Sequence, residues 1–173
     1  MKPTVAAALA LLALCAGCAK EDGDRGGAAA GPTASALVSA PAPAGAQDEA
    51  LRSVAKDALA ALKCKDVEAI ARLVPADKQQ EARQAFASGG AAARSFYDET
   101  GWRWKSLAAW DGKVGEARVA RGGERAKARV KYGAIDGREA AVVQLAEQGG
   151  RWYFDDLKSP SLESYATWGE LVR

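Results

Sequence analysis

Two cysteines three positions apart, Cys15 and Cys18 in LLALCAGCAK, are the first residues whose type and spacing suit chemistry. A CxxC pair acts as a redox motif when a βαβ pattern surrounds it. Here it closes an apolar run, Val5 to Leu14, that offers no such pattern. Histidine is absent from all 173 residues. That removes Ser-His-Asp and Cys-His catalysis, histidine-ligated zinc and the commonest general base at neutral pH. Three cysteines without histidine also fall short of the four nitrogen or sulfur ligands of a structural zinc site. Neither a metal nor a cofactor is expected.

Three other groups are candidates. Asp156 sits in the strand-like run RWYFDDL; on an apolar sheet face its carboxylate would be desolvated and its pKa raised, the condition for a general acid or base. Trp104, Tyr132 and Trp152 would wall a pocket around it, whereas the plainer reading leaves Asp156 in water at the fraying end of the strand. Arg125, Lys127, Arg129 and Lys131 alternate in RAKARVKY and share one outward face, with Arg118 and Arg151 on neighbouring strands. Such a stripe suits anionic headgroups, lipopolysaccharide phosphates, peptidoglycan carboxylates or an acidic protein partner; an ordinary solvated face is the alternative. Cys64 lies between Lys63 and Lys65, which would depress its thiol pKa; a structural cysteine at a helix end is the other possibility.

The first twenty residues read as an address. Lys2 and the amino terminus precede the apolar run, matching the charged and hydrophobic regions of a secretory signal. The run is too short to span a membrane, which takes about 20 apolar residues. Ala16 and Gly17 then precede Cys18, and Cys15-Ala16-Gly17-Cys18 resembles the lipobox of bacterial lipoproteins. The resemblance implies cleavage after Gly17, which discards Cys15 with the signal (residues 1–17), and a diacylglyceryl group on Cys18. Two or more acyl chains make an anchor stable, at about 0.8 kcal/mol per buried CH₂. Ala19 stands where an Asp would retain the protein in an inner membrane, so the expected location is the cell envelope, at the outer membrane facing the periplasm in a Gram-negative cell. An ordinary secretory signal is the alternative.

Residues 18–47 follow as a tether, rich in Ala, Gly, Pro, Ser and Thr and without an aromatic residue, too poor in apolar surface to offset its ordering entropy. As a flexible coil it spans about 30 Å. Residues 48–173 are the one globular unit. Leu51, Val54, Ala55, Ala58, Leu59 and Leu62 recur at helical spacing. Asp66 caps a second helix that Pro75 ends, and Asp77 caps a third that stops at Ser88-Gly89-Gly90. From Trp102 the apolar period turns to two through Trp104, Ala108 and Trp110, which predicts a strand. Three turn signals, Gly122-Gly123, Asp136-Gly137 and Gly149-Gly150, then divide four strands of an antiparallel meander. Taken as two-residue loops they pair Val119 with Ala126, Ala117 with Ala128, Tyr132 with Ala141, Val130 with Val143, Leu145 with Phe154 and Glu147 with Trp152. In that register Asp156 lies beside Val143, and Glu116 lies opposite Arg129. Ser161 opens a short last helix carrying Leu162, Tyr165 and Trp168.

The fold class is α+β: N-terminal helices packed on a bent antiparallel sheet. LAALKCKDVEAIARLV (59–74) and EQGGRWYFDDL (147–157) resemble the nuclear transport factor 2-like superfamily, the likeness spanning about residues 48–157. It implies a cone-shaped domain whose helices close over the concave sheet face, often around a small apolar pocket. Some members are enzymes, such as ketosteroid isomerase, and many others are non-catalytic. The expectation is a lipid-anchored envelope protein with a binding or scaffolding domain, partnered by the membrane and by an envelope protein or an anionic glycan or lipid. The alternatives are a pocket using Asp156 and a surface binder using residues 125–131. Lys and Arg (24) nearly balance Asp and Glu (22), and export argues against nucleic acid.

Overall fold

The structure, a computed structural model, describes residues 44–122 and 125–172. The signal, Cys18 and the tether up to Pro43 lie outside the described residues, as do Gly123 and Glu124. Helix α1 (Ala44–Lys63) starts four residues inside the expected tether and carries the predicted stripe. Leu51, Ala55, Leu59 and Leu62 on it are fully buried. Asp66 caps α2 (Val67–Arg72), its Oδ1 accepting from the Ala69 N–H at 2.9 Å. Asp77, expected to cap the third helix, instead lies within a 3-10 turn (Ala76–Lys78) that follows Pro75. Helices α3 (Gln79–Phe86) and α4 (Ala91–Phe96) then pack through the edge-to-face pair Phe86–Phe96, ring centroids 5.2 Å apart.

The strand expected from Trp102 is a helix, α5 (Trp102–Ala109). The Trp-Arg-Trp alternation is too short to fix a period. What decides is Leu107, fully buried although it has the opposite parity to the tryptophans; on a helix it shares a face with Arg103 and Trp104. Lys63 fastens the far end, donating from Nζ to the Trp110 carbonyl at 2.8 Å, a cation at a helix C-terminus.

Strands β1 (Ala117–Gly122), β2 (Arg125–Ile135), β3 (Glu139–Gln148) and β4 (Arg151–Lys158) form the expected meander. Positive φ at Asp136 and Gly137 makes the middle turn, and positive φ at Gly149 and Gly150 the last. Helix α6 (Leu162–Thr167) begins at Ser161, whose Oγ accepts from the Ser164 N–H. A fifth strand, β5 (Glu170–Val172), was not expected; it pairs with β1, giving an open antiparallel sheet of order β4-β3-β2-β1-β5. The segment from α6 to β5 therefore crosses the sheet from one edge to the other. At the opposite edge the Phe154 N–H donates to the Leu73 carbonyl, so α2 covers part of an otherwise open strand.

Three departures from the predicted register matter. Between β1 and β2, Gly122 pairs with Arg125, so Val119 faces Ala128 and Ala117 faces Val130, a shift of two residues that keeps every side chain on its face. A bulge between Lys131 and Gly133 leaves Tyr132 without a direct partner and puts Gly133, not Tyr132, opposite Ala141. A second bulge, beside Gln144 and Leu145, moves Asp156 opposite Gln144. Leu157, fully buried, takes the position beside Val143 that Asp156 was expected to hold. α1 packs on one sheet face, and Val130, Val143, Leu145 and Leu157 fill the space between them with Leu51, Leu59, Leu62 and Leu107. Each buried aliphatic side chain stabilises by roughly 1.5–3 kcal/mol.

Candidate functional site

The face of the sheet turned away from α1 carries a row of cations. In β2 the two-residue period sends Ala126, Ala128 and Val130 into the core and Lys127, Arg129 and Lys131 to the other side. Arg125 heads the same strand, where the backbone alone is described. The two-residue shift replaces the expected Glu116 opposite Arg129 with Arg118. Two arginines thus stand directly across from each other, a like-charge pairing that ordinarily destabilises a sheet.

Aromatic rings from the C-terminal segment flank both guanidiniums. The Tyr165 ring lies 5.6 Å from Arg118 Cζ, and the Trp168 ring 4.3 Å from Arg129 Cζ. Tyr165 is fixed by packing on Ala140 and Val142 and by donating its hydroxyl to the Glu116 carbonyl at 2.9 Å. Each such cation–π contact is worth roughly 0.5–2 kcal/mol. Burial pushes the Arg129 guanidinium down from its ordinary pKa, and Arg118 Nε is buried without an acceptor. Neutralisation is partial. Gln144 donates to Asp155 at 2.7 Å, and Asp155 stands 3.9 Å from Lys127. Arg129 Nε reaches only the amide oxygen of Gln144, at 3.5 Å.

The pocket candidates part company. Tyr132 and Asp156, each at a bulge, both turn to α5: Tyr132 Oη lies 2.7 Å from Ser106 Oγ, and Asp156 Oδ1 lies 3.5 Å from Arg103 Nη2. Lys158 Nζ holds the other Asp156 oxygen at 2.7 Å. Burial pushes the Tyr132 hydroxyl up to about 12, so it stays protonated at neutral pH. The cluster latches α5 to the sheet with a neutral phenol and an ion-paired carboxylate. Trp104 packs edge-on to Tyr97, with Lys65 Nζ 4.8 Å from its ring, and Trp152 pairs with Glu147 near the Gly149-Gly150 turn. Trp104 and Trp152 thus have other neighbours than the Tyr132 and Asp156 they were expected to enclose. Cys64 is disulfide-bonded, not the activated thiol its lysine neighbours suggested; the chain's other cysteines lie outside the described residues.

Alternation made the outward face of β2 readable. The roles of Arg118, Tyr165 and Trp168 were not, because they depend on the pairing of β1 and on the path of the C-terminal segment. Comparison with protein-family models, with curated proteins and with solved structures found no match.

Proposed function

We propose that this chain is a bacterial lipoprotein, anchored through Cys18 in the cell envelope, whose nuclear transport factor 2-like domain is a non-catalytic binding module for anionic envelope surfaces. The observation that carries the reading is the outward row of Arg118, Lys127, Arg129 and Lys131, with one carboxylate, Asp155, within ion-pair distance of one of them. No helix among the described residues is long and apolar enough to cross a membrane, a condition that a lipid-anchored domain meets. The filled space under α1 and the two cations on Asp156 favour binding over acid–base chemistry.

The test is sedimentation with vesicles containing or lacking phosphatidylglycerol. Binding should require the anionic lipid and weaken with salt, since the Debye length falls from about 10 Å at 0.1 M to about 3 Å at 1 M. Each cation near such a surface contributes about 1 kcal/mol. Lys127→Glu with Lys131→Glu should therefore weaken binding by a factor of ten or more. Equal binding to neutral vesicles, unchanged by salt or by the reversal, would refute the reading.

A further inference from the structure

We infer that Arg118 and Arg129 form a discrete site for a phosphate group, held between the two guanidiniums on the sheet face crossed by α6. The inference rests on the anionic-surface reading and sharpens it from a diffuse field to a stereospecific contact.

Three observations converge on the pair. Directly opposed residues of an antiparallel ladder have Cβ atoms about 4.5–5.5 Å apart, so Arg118 and Arg129 present two forked donors from adjacent strands. Among the described residues neither arginine has a carboxylate within ion-pair distance: Asp155 pairs with Lys127, Asp156 pairs with Arg103 and Lys158, and Glu116, two residues from Arg118, supplies negative charge only at longer range. Hydrogen-bonding capacity is also left over, since Arg118 Nε is buried without an acceptor and Arg129 Nε has one long bond. A buried donor without a partner costs about 1–3 kcal/mol. A phosphate anion, whether a monoester, a diester or inorganic, has at least two free acceptor oxygens and supplies charge, acceptors and a bridge between the two forks. The Tyr165 and Trp168 rings lie against the two guanidiniums and orient the forks. The phosphate can come from a lipid headgroup or from a soluble phosphate, and the same donors serve both.

The probes are inorganic phosphate and phosphatidylglycerol vesicles, with the full chain. Phosphate should bind saturably at one site, raise the thermal midpoint above that in chloride of equal ionic strength, and change fluorescence in a way that Trp168→Phe abolishes. Arg118→Lys keeps the charge but loses the fork, and should weaken phosphate binding at least tenfold; Lys131→Gln should change it less than twofold. Arg118→Gln relieves the repulsion, so its midpoint without phosphate should equal or exceed that of the parent while the phosphate-dependent rise disappears. If Arg118→Lys weakens vesicle binding in step with phosphate, the source is a headgroup; if phosphate binding alone is lost, the source is soluble. Phosphate acting no better than chloride, or Arg118→Lys and Lys131→Gln behaving alike, would overturn the site. Salt-sensitive vesicle binding that persists in that event would leave the broader reading standing.

Discussion

Deleting one tyrosine hydroxyl should have opposite effects at two places in this domain. Tyr132 Oη bonds Ser106 at 2.7 Å, whereas Tyr97 Oη is buried with no hydrogen-bond partner. A net intramolecular hydrogen bond contributes about 0.5–1.5 kcal/mol, and an unsatisfied buried hydroxyl costs about 1–3 kcal/mol. Tyr132→Phe should therefore destabilise by about 1 kcal/mol and Tyr97→Phe should stabilise slightly, as read from urea midpoints at pH 7. Alkaline behaviour follows from the same burial. Tyr97, Tyr132 and Tyr165 are each pushed up to about 12 in the folded state, against about 10 for an unfolded tyrosine. The folded chain then holds more protons than the unfolded one between these values, so stability falls as pH rises. The contribution is full below pH 10 and lost progressively towards pH 12. Denaturation midpoints at pH 8, 10 and 11.5 should show the fall, and Tyr132→Phe should flatten it; a flat profile in the parent would contradict the buried phenols. At this scale the sequence revealed which face Arg129 takes, because alternation is local. Its partner was hidden, because that depends on where the first hairpin closes.

Elements were legible where a periodic stripe was long and obscure where it was short. Six apolar positions at helical spacing from Leu51 to Leu62 predicted α1, and all but Val54 are fully or nearly fully buried; the Gly-containing dipeptides predicted the meander, and positive φ marks its last two turns. Residues 102–109 offered too few positions to separate a period of two from one of 3.6. The two bulges left no mark in composition, yet one of them took Asp156 from the core side and put Leu157 there. β5 escaped notice because three residues carry almost no pattern; its existence depends on a close approach at Gly169. That residue has φ of 63°, and a Cβ there would lie 2.5 Å from the Val119 carbonyl oxygen. Gly169→Ala should detach β5 from β1 at a cost of roughly 1–3 kcal/mol. Hydrogen exchange is the measurement. Amides of Leu171 and of β1 should lose protection while those of β3 and β4 keep theirs, and an unchanged β1 edge would show that the junction tolerates a side chain.

At the scale of the whole chain, the sulfur chemistry of Cys64 bears on the proposed anchor. Cys64 follows directly on α1, and the sequence holds two further cysteines, Cys15 and Cys18. Signal cleavage after Gly17 would remove Cys15, and acylation would turn Cys18 into a thioether. A thioether sulfur has no valence left for a disulfide, so an intramolecular bridge to Cys64 and a lipidated Cys18 exclude each other in one mature molecule. The lipoprotein reading therefore predicts a definite pattern. Mature protein extracted from membranes with detergent should begin at Cys18 and carry the mass of two or three acyl chains. Peptide mass spectrometry, with alkylation before and after reduction, reads both together with the state of Cys64. Cys18→Ala should leave the protein unlipidated and shift it from the membrane to the soluble fraction. If mature protein instead retains residues 1–17, or shows Cys64 bridged to Cys18 without acyl mass, the anchor is refuted. The outward basic face would then have to find its anionic partner by diffusion, without the high local concentration that a tether of about 30 Å provides.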